Sequence, residues 1–179
     1  MLCYNISIPK LTGTNENAHM TAIAFHTHDH AQCVSTTMAR AERYCIDNKL
    51  KFTPIRRRAL EILLAEHRAL GAYDLLAVLS KEGMGTAPPV AYRALDFLTS
   101  AGFAHKIEGL NAYIACAHLG ADHVPAFLIC TNCKSVAEAE TEATKGRLGE
   151  VARATGFVIH KSVIEALGLC PDCQDAPCA

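Results

Sequence analysis

Pro88-Pro89-Val90-Ala91-Tyr92-Arg93-Ala94-Leu95-Asp96-Phe97-Leu98, stopped by Gly102 and followed by Phe103-Ala104-His105-Lys106-Ile107, Glu108-Gly109-Leu110-Asn111 and Ala112-Tyr113-Ile114-Ala115, decides the fold of the first half. Two adjacent prolines are tolerated only in the first turn of a helix, where a missing N–H costs nothing. Helical spacing then gathers Val90, Ala94, Leu95 and Leu98 on one stripe and Tyr92, Arg93 and Asp96 on the opposite side. Arg can bond a guanine edge and Tyr can reach a phosphate or a thymine methyl, so this polar face suits a major groove. Two short apolar runs around a Gly-containing turn read as a β-hairpin. Helices followed by a hairpin are the order of a winged helix, with the hairpin as the wing.

Toward the N-terminus, Ala72 to about Lys81 repeats Leu75, Leu76 and Leu79 at helical spacing and ends near Gly83 and Gly85. Thr53-Pro54 opens an earlier helix whose apolar face is Ile55, Ala59, Ile62 and Leu63. Arg56, Arg57 and Arg58 lie near the positive end of that helix, where phosphate could dock; a solvated basic turn is the plainer alternative. A first helix is expected from about Met38 to Asn48. Residues 1–37 show no periodicity and read as a mobile tail, with Met20 and Met38 as alternative starts. The tail's His26-Thr27-His28-Asp29-His30 cluster has no scaffold to make it a metal site.

Beyond the hairpin the texture changes. Val124 to Cys130, Val136 to Ala139 and Phe157 to Ala166 read as strands, and Thr141 to Thr155 as a helix with Leu148, Val151 and Ala152 inward. Three strands and a helix make a small core, so dimerisation and a metal are expected to supplement it. Residues 39–110 carry eleven Lys+Arg against eight Asp+Glu, and residues 111–179 five against eight, so the overall charge of −1 hides a basic first half and an acidic second. No secretory leader and no apolar run long enough to span a bilayer is evident, so a cytoplasmic location is expected.

Nine cysteines in a reducing compartment point to metal or redox chemistry before disulfides. Cys130-x-x-Cys133 and Cys170-x-x-Cys173 each place two thiolates on one tight turn, and together they complete a closed four-sulfur zinc shell. A thiol-disulfide enzyme is the rival, but its motif comes once, at the start of a helix. A looser set comprises His105, Cys116, His123 and Glu138, with His118 as a competing ligand. Each has an ordinary explanation alone; together they would make a site with two nitrogens, one sulfur and one oxygen, biased toward zinc by the thiolate. Cys33, Cys45 and Cys178 carry no assigned role.

The recognition helix and wing quoted above, with Leu50-Lys51-Phe52-Thr53-Pro54, Ala72-Tyr73-Asp74-Leu75-Leu76, Phe127-Leu128-Ile129-Cys130 and Ile164-Glu165-Ala166-Leu167-Gly168-Leu169-Cys170, resemble the ferric uptake regulator family, in particular its zinc uptake regulator branch, over about residues 38–174. The resemblance implies a structural zinc at Cys130, Cys133, Cys170 and Cys173 and a regulatory zinc at His105, Cys116, His123 and Glu138. It also implies a homodimer on a palindromic DNA operator of zinc-uptake genes. Cys116-Ala117-His118-Leu119-Gly120-Ala121-Asp122-His123 departs from the His-His-Asp-His run typical of the iron-sensing branch, which argues against iron and peroxide sensing. Ala91 stands where the family commonly has Thr, so one hydroxyl contact to DNA is expected to be missing.

The resulting expectation is an α+β chain: tail 1–37, winged-helix DNA-binding domain 38–115, hinge 116–119, and a small α/β dimerisation and metal-binding domain 120–179. Its function is expected to be zinc-dependent repression, with Tyr92, Arg93, Arg56, Arg57 and Arg58 contacting DNA, two Zn2+ per protomer, and no catalysis, small-molecule substrate or membrane. The rivals are a sensor of another metal or of peroxide, a CxxC oxidoreductase, and a zinc-stapled interaction module without DNA.

Overall fold

Apolar residues recur every three or four positions from Val34 to Leu98 and are punctuated by Pro54, Gly83, Gly85 and Pro88, a pattern that dictates helices separated by tight turns. A computed structural model of the chain describes residues 30–65, 68–117, 119, 124–141, 146–160 and 162–174. Four helices come first: α1 (His30–Asp47), α2 (Pro54–Ala65), α3 (Ala72–Lys81) and α4 (Pro88–Ser100), with the two-residue strand β1 (Leu70–Gly71) between α2 and α3. The hairpin β2 (Ala104–Ile107) and β3 (Ala112–Ala115) follows. Its turn is a short 3-10 helix, Glu108–Leu110, closed by Asn111 in the left-handed region at φ 47°. Strand β3 is central, with β1 and β2 antiparallel on either side.

The first core is built from one face of each helix. Ala59, Leu60 and Leu63 of α2, Leu75, Leu76 and Leu79 of α3, and Ala91, Ala94, Leu95 and Leu98 of α4 are buried around Phe103. Two expectations shift here. Helix α1 begins at His30, eight residues before the expected start, so residues 30–37, read as part of the tail, are helical. Val34, Met38, Ala41 and Cys45 recur at helical spacing and pack on the core, which is the physical reason. On α4, Val90 is only partly buried and Ala91, 1% exposed, takes its place in the stripe.

The second half contains β4 (Val124–Cys130), β5 (Val136–Thr141), α5 (Arg147–Thr155), β6 (Ile164–Gly168) and α6 (Pro171–Gln174). Strand β4 is central, antiparallel to β5 and parallel to β6. Ile107 and Ile114 of the wing share a second core with Phe127, Ile129 and Val136 of this sheet. Each such burial contributes about 1.5–3 kcal/mol, so the wing and the sheet hold one another. Leu119, expected in a free hinge, packs into the first core, and its carbonyl accepts a 2.9 Å hydrogen bond from the Arg40 guanidinium.

The apolar run after α5, predicted as the start of a strand, is not one. Residues 157–159 form no strand, Phe157 and Val158 are each 68% exposed, and the strand occupies Ile164–Gly168 instead. On α5, Gly149 and Ala152 are the buried residues, while Leu148 and Val151, expected inward, are exposed within a single chain. Adjacent exposed apolar residues of this kind suit a contact with a second copy. Among the described residues no helix is long and apolar enough to cross a membrane. Replacing Val151 with Glu is expected to halve the mass seen in sedimentation velocity while leaving the far-UV circular dichroism intact; a variant that stays dimeric would place the contact elsewhere.

Candidate metal centres and nucleic-acid face

Four cysteines converge at the end of β4 and the end of β6. The first pair sits on a knuckle in which the Lys134 N–H donates to the Cys130 carbonyl at 3.1 Å, with Lys134 at φ 63°. The second pair straddles the start of α6, where the Cys173 N–H donates to the Cys170 carbonyl at 3.0 Å. Parallel pairing of β4 with β6 aligns Cys130 with Gly168 and so carries the second knuckle to the first. The Thr131 N–H and hydroxyl both donate to the Gly168 carbonyl, at 2.8 and 3.1 Å.

One sulfur from each of Cys130, Cys133, Cys170 and Cys173 lies within 4.8 Å of the others, and the Cys133–Cys170 separation is 3.6 Å. That separation is too long for a disulfide and close to the ~3.8 Å between thiolates on one tetrahedral zinc. Backbone N–H groups, that of Cys170 first, hold the Cys130 thiol down to about 6, and the Ser135 hydroxyl lowers Cys133. Burial pushes Cys170 up to about 12, so filling the cage must expel protons. Cys130 and Cys170 are buried and all four thiols face one another, which suits a closed structural site and not an accessible redox pair.

A second cluster lies where the wing meets the second sheet. His105 comes from β2, Cys116 follows β3, and Glu138 comes from β5. Their ligand atoms lie within 4.8 Å of one another. His105 Nε2 stands 3.2 Å from Glu138 Oε1, and Cys116 Sγ stands 3.9 Å from the same oxygen. The cluster is held from behind: the Cys116 N–H donates to the Phe103 carbonyl at 2.9 Å, and the His105 ring packs at 5.5 Å on Phe127. Glu138 is 5% exposed, and its second oxygen accepts the Ala117 N–H at 2.9 Å. A buried carboxylate beside an imidazole and a thiol is costly without a cation, and these nitrogen, sulfur and oxygen donors fit zinc. His123 and its rival His118 lie outside the described residues, as do Cys178 and the tail cluster's His26 and His28.

In the first half, α4 exposes Tyr92, Arg93 and Asp96 together, as expected. Tyr73 of α3 is exposed beside them, its ring set edge-on to Tyr92 at 6.5 Å. Ala91 is buried, so a hydroxyl at that position would meet the core and not DNA. The three arginines of α2 are each engaged by a different helix. The Arg56 guanidinium lies 3.8 Å over the Phe97 ring of α4, and Arg57 pairs with Glu42 of α1. Arg58 grips Glu82 at the end of α3 through two bonds of 2.7 and 2.8 Å and also bonds Glu61, so its pKa rises and that of Glu82 falls.

Comparison with known proteins follows this geometry closely. The model of the ferric uptake regulator family matches residues 47–167. The chain belongs to that family. The zinc uptake regulation protein of Escherichia coli (strain K12) is 38% identical over 140 residues, covering 77% of this chain and 81% of that one. The ferric uptake regulation protein of Staphylococcus epidermidis (strain ATCC 12228 / FDA PCI 1200) is 28% identical over 134 residues, covering 72% of this chain and 89% of that one. Among solved structures, a zinc uptake regulator complexed with zinc and DNA superposes with a TM-score of 0.73 at 37% identity, over 79% of this chain and 95% of that chain. The holo crystal structure of XcZur gives 0.70 at 39% identity, over 80% and 99%.

Several supporting residues have no separate signal in the sequence. The Ala117 N–H, the Phe127 ring and the Ser135 hydroxyl, 3.1 Å from Cys133 Sγ, act through register and backbone direction, which spacing alone does not reveal. Tyr73 was readable, since it sits one residue inside α3, but its apolar ring reads equally as core. Cys130→Ser is expected to lose one tightly held zinc per protomer by native mass spectrometry and to melt the second half at a lower temperature than the first. Retention of that zinc by the variant would remove Cys130 from the shell.

Proposed function

We propose that the protein is a cytoplasmic, zinc-responsive transcriptional repressor, not an enzyme, that binds palindromic operators as a homodimer when zinc is bound and represses zinc-uptake genes. The observation that carries this reading is the buried Glu138 carboxylate of the second sheet, set against His105 and Cys116 of the DNA-binding half. Two relatives named above, a zinc uptake regulation protein and a zinc uptake regulator complexed with zinc and DNA, point the same way.

The four-cysteine cage is assigned to a structural zinc and the mixed cluster to a regulatory one, with His123 as its fourth ligand. Zinc at the second site supplies one centre of positive charge to an imidazole, a thiolate and a carboxylate at once. The chain's own part is mechanical. His105 lies on β2 directly after α4, so fixing its ring against Glu138 fixes the wing and, through Phe103 and Leu98, the recognition helix. In a dimer this sets two copies of α4 for successive major grooves, and a coupling of about 1–3 kcal/mol changes operator affinity roughly 5- to 150-fold.

Arg93 and Tyr92 are assigned to groove contacts, since both are exposed on the outer face of α4. Arg56, Arg57 and Arg58 are assigned mainly to bracing α2 against its three neighbours, with phosphate contact available to Arg57 by exchange of its exposed Glu42 partner. Cys116→Ser is expected to remain a folded dimer with its structural zinc and to lose zinc-dependent retardation of an operator selected from random DNA. Normal retardation by both Cys116→Ser and Glu138→Gln over the same range of free zinc would refute the regulatory assignment.

A further inference from the structure

The second sheet touches the wing at more than the metal-ligand cluster. Strand register sets Glu138 of β5 beside Phe127 of β4, and Phe127 beside Glu165 of β6. Cross-strand neighbours project from the same face, so the three form a row across the sheet. That row meets the wing along its length. Glu138 reaches His105 at one end, and the Phe127 ring packs on His105 in the middle.

At the other end the Glu165 carboxylate accepts two backbone hydrogen bonds from the wing turn, from the Glu108 N–H at 2.7 Å and the Gly109 N–H at 2.9 Å. These amides open the short 3-10 helix and have no partner within it, so a carboxylate placed on them makes two charge-assisted bonds. Gly109 has no left-handed backbone to explain it. A β-carbon there would stand 2.7 Å from Glu165 Oε2, so a larger residue would have to push the end of that side chain away from the turn. Glu165 is half-buried and lies away from both cysteine knuckles along β6.

We infer that Glu165 is a positioning residue of the metal response: it pins the wing turn to the sheet so that His105, on the strand entering that turn, stands against Glu138 and Cys116 before any ion arrives. The inference rests on the regulatory reading of that cluster. Glu165 lies across Phe127 from Glu138, and its two hydrogen bonds go to the wing turn. Its effect is on the cost of closing the wing, so it raises the zinc affinity of the second site and leaves the affinity of the fully loaded dimer for DNA almost unchanged.

The test uses the full chain with its structural zinc in place, and one variant on each side of the contact. Glu165→Ala and Gly109→Ala are each expected to weaken zinc binding at the second site about tenfold by chelator competition, and the double variant to be no weaker than either. Glu165→Gln, which keeps one acceptor, is expected to fall between. With the second site empty, hydrogen exchange at the Glu108 and Gly109 amides is expected to speed up in both alanine variants, while operator binding at saturating zinc stays within about twofold. Unchanged exchange in Glu165→Ala, or zinc affinities that worsen additively in the double variant, would overturn the inference. A parent protein that takes no second zinc would instead overturn the regulatory reading, and the exchange measurement would still report on the turn.

Discussion

The Glu138 carboxylate is the constraint around which the two halves are arranged. A carboxylate with 5% exposure costs several kcal/mol to bury unless charge and hydrogen bonds offset the loss of water. One backbone N–H from Ala117 offsets part of it, and His105 and Cys116 bring donor atoms to within ligand range. His105 comes from the wing, Cys116 and Ala117 from the segment just after it, and the carboxylate from the second sheet, whose strand ends carry the four cysteines. Whatever stabilises this cluster therefore stabilises one relative placement of reading head and dimer unit. Ile107 and Ile114, packed on Phe127, Ile129 and Val136, give that placement a dry backing.

The two candidate metal sites divide their work by chemistry and position. Four thiols on two knuckles, entirely within the second half, would make a closed shell that pins α6 to the end of β4. The mixed cluster draws its donor atoms from β2, from the residue after β3 and from β5, with fewer soft donors, a set that would suit an exchangeable ion. Closed shells hold folds together; shared shells report whether two parts are aligned. Arg56, Arg57 and Arg58 belong to the first kind of task, since each ties α2 to a different helix.

Where local chemistry governs, the sequence was legible. Pro88-Pro89 and the stop before Gly102 placed α4 to within a residue, and the Tyr92, Arg93 and Asp96 face is exposed as the spacing implies. The cysteine spacing gave the cage, and His105, Cys116 and Glu138 do come together. Three features were hidden for physical reasons. The early start of helix α1 was hidden because Asp29, a residue type suited to an N-cap, sits inside a polar histidine cluster, and only Val34 carries the apolar stripe back before Met38. Phe157 and Val158 mimic a strand because they are apolar, yet they are exposed and pair with no strand. The row of Glu138, Phe127 and Glu165 depends on strand register between residues far apart in the chain, which no local pattern encodes.

The central claim is that an ion shared by the wing and the second sheet sets the spacing of the two recognition helices. Pulsed dipolar spectroscopy between spin labels introduced at Ser100 of both copies, through a non-cysteine amino acid, measures that spacing directly while zinc is titrated into the structurally loaded dimer. The account predicts a broad distance distribution that narrows to one value as the second site fills, and that stays broad in Glu138→Gln. An equally narrow distribution before and after zinc, or narrowing unaffected by Glu138→Gln, would contradict it.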